Sequence, residues 1–397
     1  MGSSAEGKRS VVRPFAFVTG AVALATLIGL LLLWPGDPET VLNAGLSAPT
    51  DLAEVRNVEF GPCPPPQPGS CGRAEILIQS GPKTGSSGSL PLGSTVLDPK
   101  LEAGDKIRVQ QVEIPPPAPG GEASTGYTFS DFERRSPMLW LAIAFVVLVV
   151  AFGRLRGALS LVGLAASLGL VVLFIVPAIL DGSPPLLVAV VGSMAVMLLT
   201  IPLAHGLGPK SLAAALGTAV SLLLVAGLAY LFTELTSLTG LTSEELTLLE
   251  VNDVIVSFEG LLLAGMVIGA LGVLDDVTVS QASTVVALRA ANPRLGFSEL
   301  YRRANDVGRD HVSATVNTLV LAYVGASLPV LLIFASGQLG IVEALNVELV
   351  AKEIVATLVG SIGLIAAVPI TTALAARLAL GLRGDELELA AAHGHVH

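Results

Sequence analysis

The chain has 397 residues, 52% of them hydrophobic and only 14% charged, against about a quarter charged in an ordinary soluble protein. A net charge of −10 and an aromatic share of 5% exclude a basic, base-stacking surface, so no nucleic-acid partner is expected. Residues 15–34, 137–152 with their flank, and 186–204 carry almost no charge. Each is long enough to cross the roughly 30 Å hydrocarbon core as a helix. The composition therefore describes a multi-span membrane protein with the lipid bilayer as its first partner.

In chain order, residues 1–13 are polar and carry Lys8, Arg9 and Arg13. The apolar run 14–34 exceeds the 7–15 residues of a signal-peptide core and reads as an uncleaved transmembrane anchor. Residues 35–136 change character, with many Pro and Gly, both cysteines and no long apolar run. Alternation at 74–79 (AEILIQ) and 106–112 (KIRVQQV) predicts half-buried strands, with turn residues at 80–88 between strands. A small extracytoplasmic β-barrel or sandwich of roughly 70 residues fits this pattern. The Pro/Gly-rich stretch 115–127 reads as a linker back to the membrane. Cys63 and Cys71 can form one disulfide if this segment lies outside the cytoplasm. Two thiols cannot complete a four-ligand zinc site, and no cofactor or metal is expected.

From 137 to 380 the chain is nearly all apolar, with spans at about 138–153, 157–180, 185–204, 211–232, 254–288, 312–335 and 353–380. With the anchor, the expected fold is mainly α: a polytopic bundle of about eight transmembrane helices bearing a small β-rich domain. Residues 381–397 form a tail. Its His393, His395 and His397 have no fixed geometry for a metal. The basic residues Arg154, Arg156, Lys210, Arg289, Arg294, Arg302, Arg303, Arg309, Arg377 and Arg383 fall on the side of Lys8, Arg9 and Arg13. The positive-inside rule places that side, and both termini, in the cytoplasm of a cell-membrane protein. Arg134 and Arg135 run against the rule, but a long translocated segment is insensitive to such charges.

Residues 258–288 hold the most chemistry. As one helix they would be roughly 46 Å long, more than a span needs. Gly265, Gly269 and Gly272 precede the pair Asp275 and Asp276, which suggests a broken or re-entrant helix lining a cavity. Asp276, Ser280, Ser283 and Thr284 fall at i, i+4, i+7 and i+8, an oxygen-rich stripe suited to a hard cation or a proton. Asn317 on the next span is a candidate for the same cavity. A second possibility remains open: the pair caps a helix at the cytoplasmic surface. Gly265 and Gly269 have the small-residue spacing that lets helices pack, while Pro329 and Pro369 should kink their spans. Residues 298–310 can form an amphipathic helix on the cytoplasmic surface. No metalloprotease, P-loop or nucleophile-elbow signature is present, so the chain does not read as an enzyme.

Three stretches resemble the signature regions of the YibE/F family of bacterial multi-span membrane proteins: 265–285 (GMVIGALGVLDDVTVSQASTV), 308–329 (GRDHVSATVNTLVLAYVGASLP) and 352–372 (KEIVATLVGSIGLIAAVPITT). The similarity covers most of the chain from about 137 to 377. It implies a polytopic membrane protein, often considered a permease, and supplies no site residues. The expected function is transport of an unidentified small molecule or ion, coupled to protons or a cation through buried acids. The alternative is a membrane scaffold or sensor whose outer domain binds a partner. Asp276→Asn, which keeps shape and removes charge, is expected to abolish any transport.

Overall fold

The structure, a computed structural model, describes residues 4–36, 50–62, 70–94, 100–114, 124–241, 256–337, 340–382 and 387. The chain divides into two compact units. One comprises Met1–Asn43 and Phe152–His397; the other is Ala44–Ala151.

The smaller unit is built on β1 (Thr50–Pro62), β2 (Ser70–Ile78), β3 (Ser87–Ser94), β4 (Lys106–Ile114) and β5 (Ser124–Phe132). They form one antiparallel sheet in the order β3-β2-β1-β4-β5. Alternate residues Ala53 and Val55, Ala74, Ile76 and Ile78, and Ile107 and Val109 turn inward and are fully buried. Between β2 and β3 the chain reverses through Gly81 and Gly85, both at positive φ, and the Gly85 N–H closes the turn onto the Ile78 carbonyl at 2.8 Å. Tyr127 on β5 lies against Gly88 on β3, where a methyl would meet the ring at 2.8 Å. The two edge strands thus approach and the sheet curls. The expected strands at 74–79 and 106–112 fall in β2 and β4. The stretch 115–127, expected as linker, yields its last residues to β5: Ser124 pairs with Ile114 and Tyr127 with Gln111. Alternating Thr, Tyr and Phe in this segment suit a half-buried strand. Cys71 on β2 is disulfide-bonded, and Cys63 lies outside the described residues.

Helices make up the rest: α1 (Ser4–Leu32), α2 (Arg135–Leu170), α3 (Val176–Leu180), α4 (Pro185–His205), α5 (Pro209–Leu235), α6 (Phe258–Ala291), α7 (Phe297–Ala326), α8 (Leu328–Ser336), α9 (Ile341–Asn346) and α10 (Glu348–Gly381). A single turn of π-helix, Val171–Ile175, joins α2 to α3. Within α2 the backbone breaks at Arg154, which sits at φ 50°, ψ −130°. The break separates two span-length pieces, Arg135–Leu155 and Gly157–Leu180. Among the described residues seven helices are long and apolar enough to cross a membrane, and eight if α7 and α8 make one bent span. That bend is 59°, with Ser327 between the helices and Pro329 in the first turn of α8, where its missing N–H costs nothing. Pro369, by contrast, sits inside an uninterrupted α10. Residues 298–310 do not form a separate surface helix. They are the first half of α7, and bury Leu300, Ala304 and Gly308 at four-residue spacing, a stripe that Val312 continues.

α5, α6 and α10 pack against one another at the centre, with α4 against α5 and α6 and α7 against α6 and α10. Leu222, Val225, Val267, Leu274, Val359 and Ala375 belong to their shared core. Two glycines let α5 and α10 approach closely. A methyl on Gly217 would collide with the Thr371 side chain, and one on Gly363 with Val225. One end of the bundle is pinned by Glu348. Its carboxylate accepts the backbone N–H groups of Thr239 and Gly240, each at 2.7 Å, and the Thr239 hydroxyl at 2.9 Å. At the other end the Arg289 guanidinium donates to the carbonyls of Pro293 and Leu295.

Candidate functional site

α6 starts where the sequence provides a cap: the Ser257 hydroxyl accepts the Gly260 N–H at 3.1 Å, with Glu259 in the first turn. It then runs 34 residues to Ala291, about 51 Å, without the break expected near the glycines. A glycine costs a helix about 1 kcal/mol, whereas unwinding in an apolar bundle would strand several backbone groups at a larger cost each. The continuous helix is the cheaper arrangement. Asp275 lies midway, about 25 Å from either end.

The two aspartates part company there. Successive helical residues point about 100° apart, so adjacent side chains cannot share a face. Asp275 turns toward α4, where its Oδ2 accepts the Thr200 hydroxyl at 3.4 Å. Its Oδ1 is buried with no partner. Asp276 is exposed on the outer side of α6. Gly265, Gly269 and Gly272 are exposed as well; methyls at Gly265 and Gly272 would meet nothing within 4 Å, and one at Gly269 only the Tyr323 hydroxyl at 3.4 Å. The anticipated polar stripe does not converge on one cavity. Ser283 and Thr284 donate to the carbonyls of Val279 and Ser280 on their own helix. Ser280 is half-buried, and Asn317 is exposed on α7. Each satisfies itself locally or points away from Asp275.

What surrounds Asp275 was not foreseen. One turn on, Thr278 donates to the Asp275 carbonyl at 3.1 Å and faces Thr218 on α5 at 2.6 Å. A turn further, the Gln281 amide bridges three helices, donating to the Ala304 carbonyl on α7 at 2.8 Å and to the Thr372 hydroxyl on α10 at 2.7 Å. Gly308 leaves room for this amide, since a methyl there would stand 2.7 Å from Oε1. Ser221 and Thr371, both fully buried, keep hydroxyls without partners. The sequence signal for these residues is single polar side chains inside apolar spans, each unremarkable alone. They make a belt of oxygens across the central helices, with one carboxylate in it. Among the described residues no three His, Cys, Asp or Glu side chains gather to hold a metal. A cleft of about 350 Å³ lies elsewhere, lined by Val12, Thr19, Leu198, Pro202, Ser211 and neighbours.

The model of the YibE/F-like protein family matches residues 141–380. The chain belongs to the YibE/F-like family. The match contains α4 to α8 and nearly all of α10, and with them Thr200, Thr218, Asp275, Gln281 and Thr372. The β-rich unit precedes it. No curated protein and no solved structure matches this chain. Family membership and the apolar helices describe a multi-pass membrane protein.

Proposed function

We propose that this protein carries a small molecule or ion across the cell membrane, with Asp275 as the group whose charge state changes during the cycle. It moves a solute and does not transform one. The observation that carries the reading is the unpartnered, buried Oδ1 of Asp275 at mid-length of a membrane-length helix. A carboxylate is costly at such depth and is typical of substrate, ion or proton pathways. The Thr200 hydroxyl gives the carboxylate a polar neighbour, and Thr218, Thr278 and Gln281 hold the surrounding helices together by hydrogen bonds. In this reading the ends bearing Arg13, Arg289 and Arg377 face the cytoplasm, with both termini, and the β-rich segment lies outside.

Inside-out vesicles test it. They are challenged with a panel of metal cations and organic ions while a dye reports internal pH. At least one compound should be taken up, or should evoke a proton flux, beyond what empty vesicles show, and Asp275→Asn should abolish it. A panel that evokes nothing beyond empty vesicles, or a flux untouched by Asp275→Asn, contradicts the reading.

A further inference from the structure

This inference rests on the transport reading and names the species exchanged at its centre. We propose that Asp275 binds a proton and not a metal cation. A desolvated hard cation requires a cage of about six oxygens. Membrane proteins usually complete such cages with carbonyls from unwound helices. Neither α4 nor α6 is unwound at this level: α6 is continuous from Phe258 to Ala291 and α4 from Pro185 to His205. Their carbonyls are therefore engaged along the helix. Pro202 withholds one N–H from α4, but Leu198, whose carbonyl loses that partner, belongs to the wall of the separate cleft.

The side chains do not make up the deficit. Thr218 and Thr278 contact each other and the backbone carbonyls of Ala214 and Asp275, and neither hydroxyl hydrogen-bonds to the Asp275 carboxylate. Among the described residues the Thr200 hydroxyl on Oδ2 is the one hydrogen-bond contact of the carboxylate, Oδ1 has none, and the unpartnered hydroxyls of Ser221 and Thr371 do not bond to it. That is too few oxygens for a cation cage. A proton needs a single acceptor oxygen and hydroxyl neighbours that both donate and accept.

Few other titratable groups occupy this depth. α4 has none between Pro185 and His205, α5 none between Lys210 and Tyr230, and α1 none between Arg13 and Leu32. On α10 they are Glu348, Lys352 and Glu353 near its start and Arg377 near its end. α7 contributes Arg309, Asp310 and His311, all exposed, just after Gly308, and Tyr323 against Gly269; on α6 Asp276 stands beside Asp275 on the exposed face.

Labelling with dicyclohexylcarbodiimide, which modifies protonated carboxyls in apolar surroundings, tests the assignment in proteoliposomes of the full chain. Peptide mass spectrometry reads the adduct. Modification at Asp275 should fall along a one-proton titration as pH rises. It should be unchanged when choline is replaced by Na⁺ or when Mg²⁺ or Ca²⁺ is added. Asp276→Asn should keep the adduct and its pH profile, and Asp275→Asn should lose it, which fixes the position. Protection by any of these cations overturns the proton assignment and leaves transport standing with a different ion. Absence of the adduct at every pH overturns both.

Discussion

Thr218 on α5 and Thr278 on α6 share one hydrogen bond, their hydroxyl oxygens 2.6 Å apart and neither side chain exposed. One hydroxyl donates to the other, and the pair joins the two central helices within a turn of Asp275. Thr218→Val or Thr278→Val alone removes this bond and leaves the other hydroxyl on its own helix carbonyl, which should cost about 1 kcal/mol. The double variant removes both polar groups and should cost less than the two singles together. Thermal unfolding in detergent, run as a double-mutant cycle, checks this; strict additivity would contradict it.

The glycines separate by environment and not by motif. Gly217→Ala drives a methyl into Thr371, and Gly363→Ala drives one into Val225. Overpacking of this kind should destabilise by about 1–3 kcal/mol. Gly265→Ala meets nothing and improves helix propensity, so it should be neutral or stabilising by up to about 1 kcal/mol. Melting curves of the three variants decide; a severe loss with Gly265→Ala would show that α6 packs on that face against something outside the chain.

Arg154 holds a positive φ that side chains with a Cβ adopt only at a cost. Arg154→Gly should relieve it and raise the thermal midpoint, by an amount worth about 1 kcal/mol once the added freedom of the unfolded chain is subtracted. A lowered midpoint would mean that the arginine side chain contributes more than its backbone costs.

Asp131 is the second-last residue of β5 and pairs with Arg108 on β4. The Phe132 N–H, and then the Arg134 guanidinium, each donate to it at 2.7 Å and hold its carboxyl below the ordinary value. A lowered folded-state pKa stabilises above the unfolded value, and the benefit is lost as pH falls through the folded one. The protection of the β4–β5 amides against hydrogen exchange, taken relative to the intrinsic rate at each pH, should therefore fall as pH drops below about 4. Asp131→Asn should flatten that dependence. An unchanged profile would contradict the assignment.

Much of this architecture is legible in the residues because the governing quantities are local. Span-length apolar runs, the alternation in β2 and β4, and the proline at the α7–α8 bend each depend on a few neighbouring residues. β1 was hidden because its buried positions, Ala53 and Val55, are small and sit among charged neighbours. β5 was hidden inside a Pro/Gly-rich stretch. Asp276 was grouped with Ser280 and Ser283 as a polar face assumed to point inward. The bundle instead buries the face of Val267, Leu271, Leu274, Thr278 and Gln281, beside which Asp275 falls. Apolar burial decides a helix's rotation, and a sequence does not say which of two adjacent carboxylates will follow it inward. The partner oxygens lie on other helices, and only packing reveals them.

The central claim is that Asp275, and not Asp276, is the group through which charge moves. Proteoliposomes on a solid-supported membrane, given a pH jump, report charge displacement without any substrate. The wild-type protein and Asp276→Asn should each give a transient, and Asp275→Asn none. A transient that survives Asp275→Asn, or one lost only with Asp276→Asn, would contradict the account.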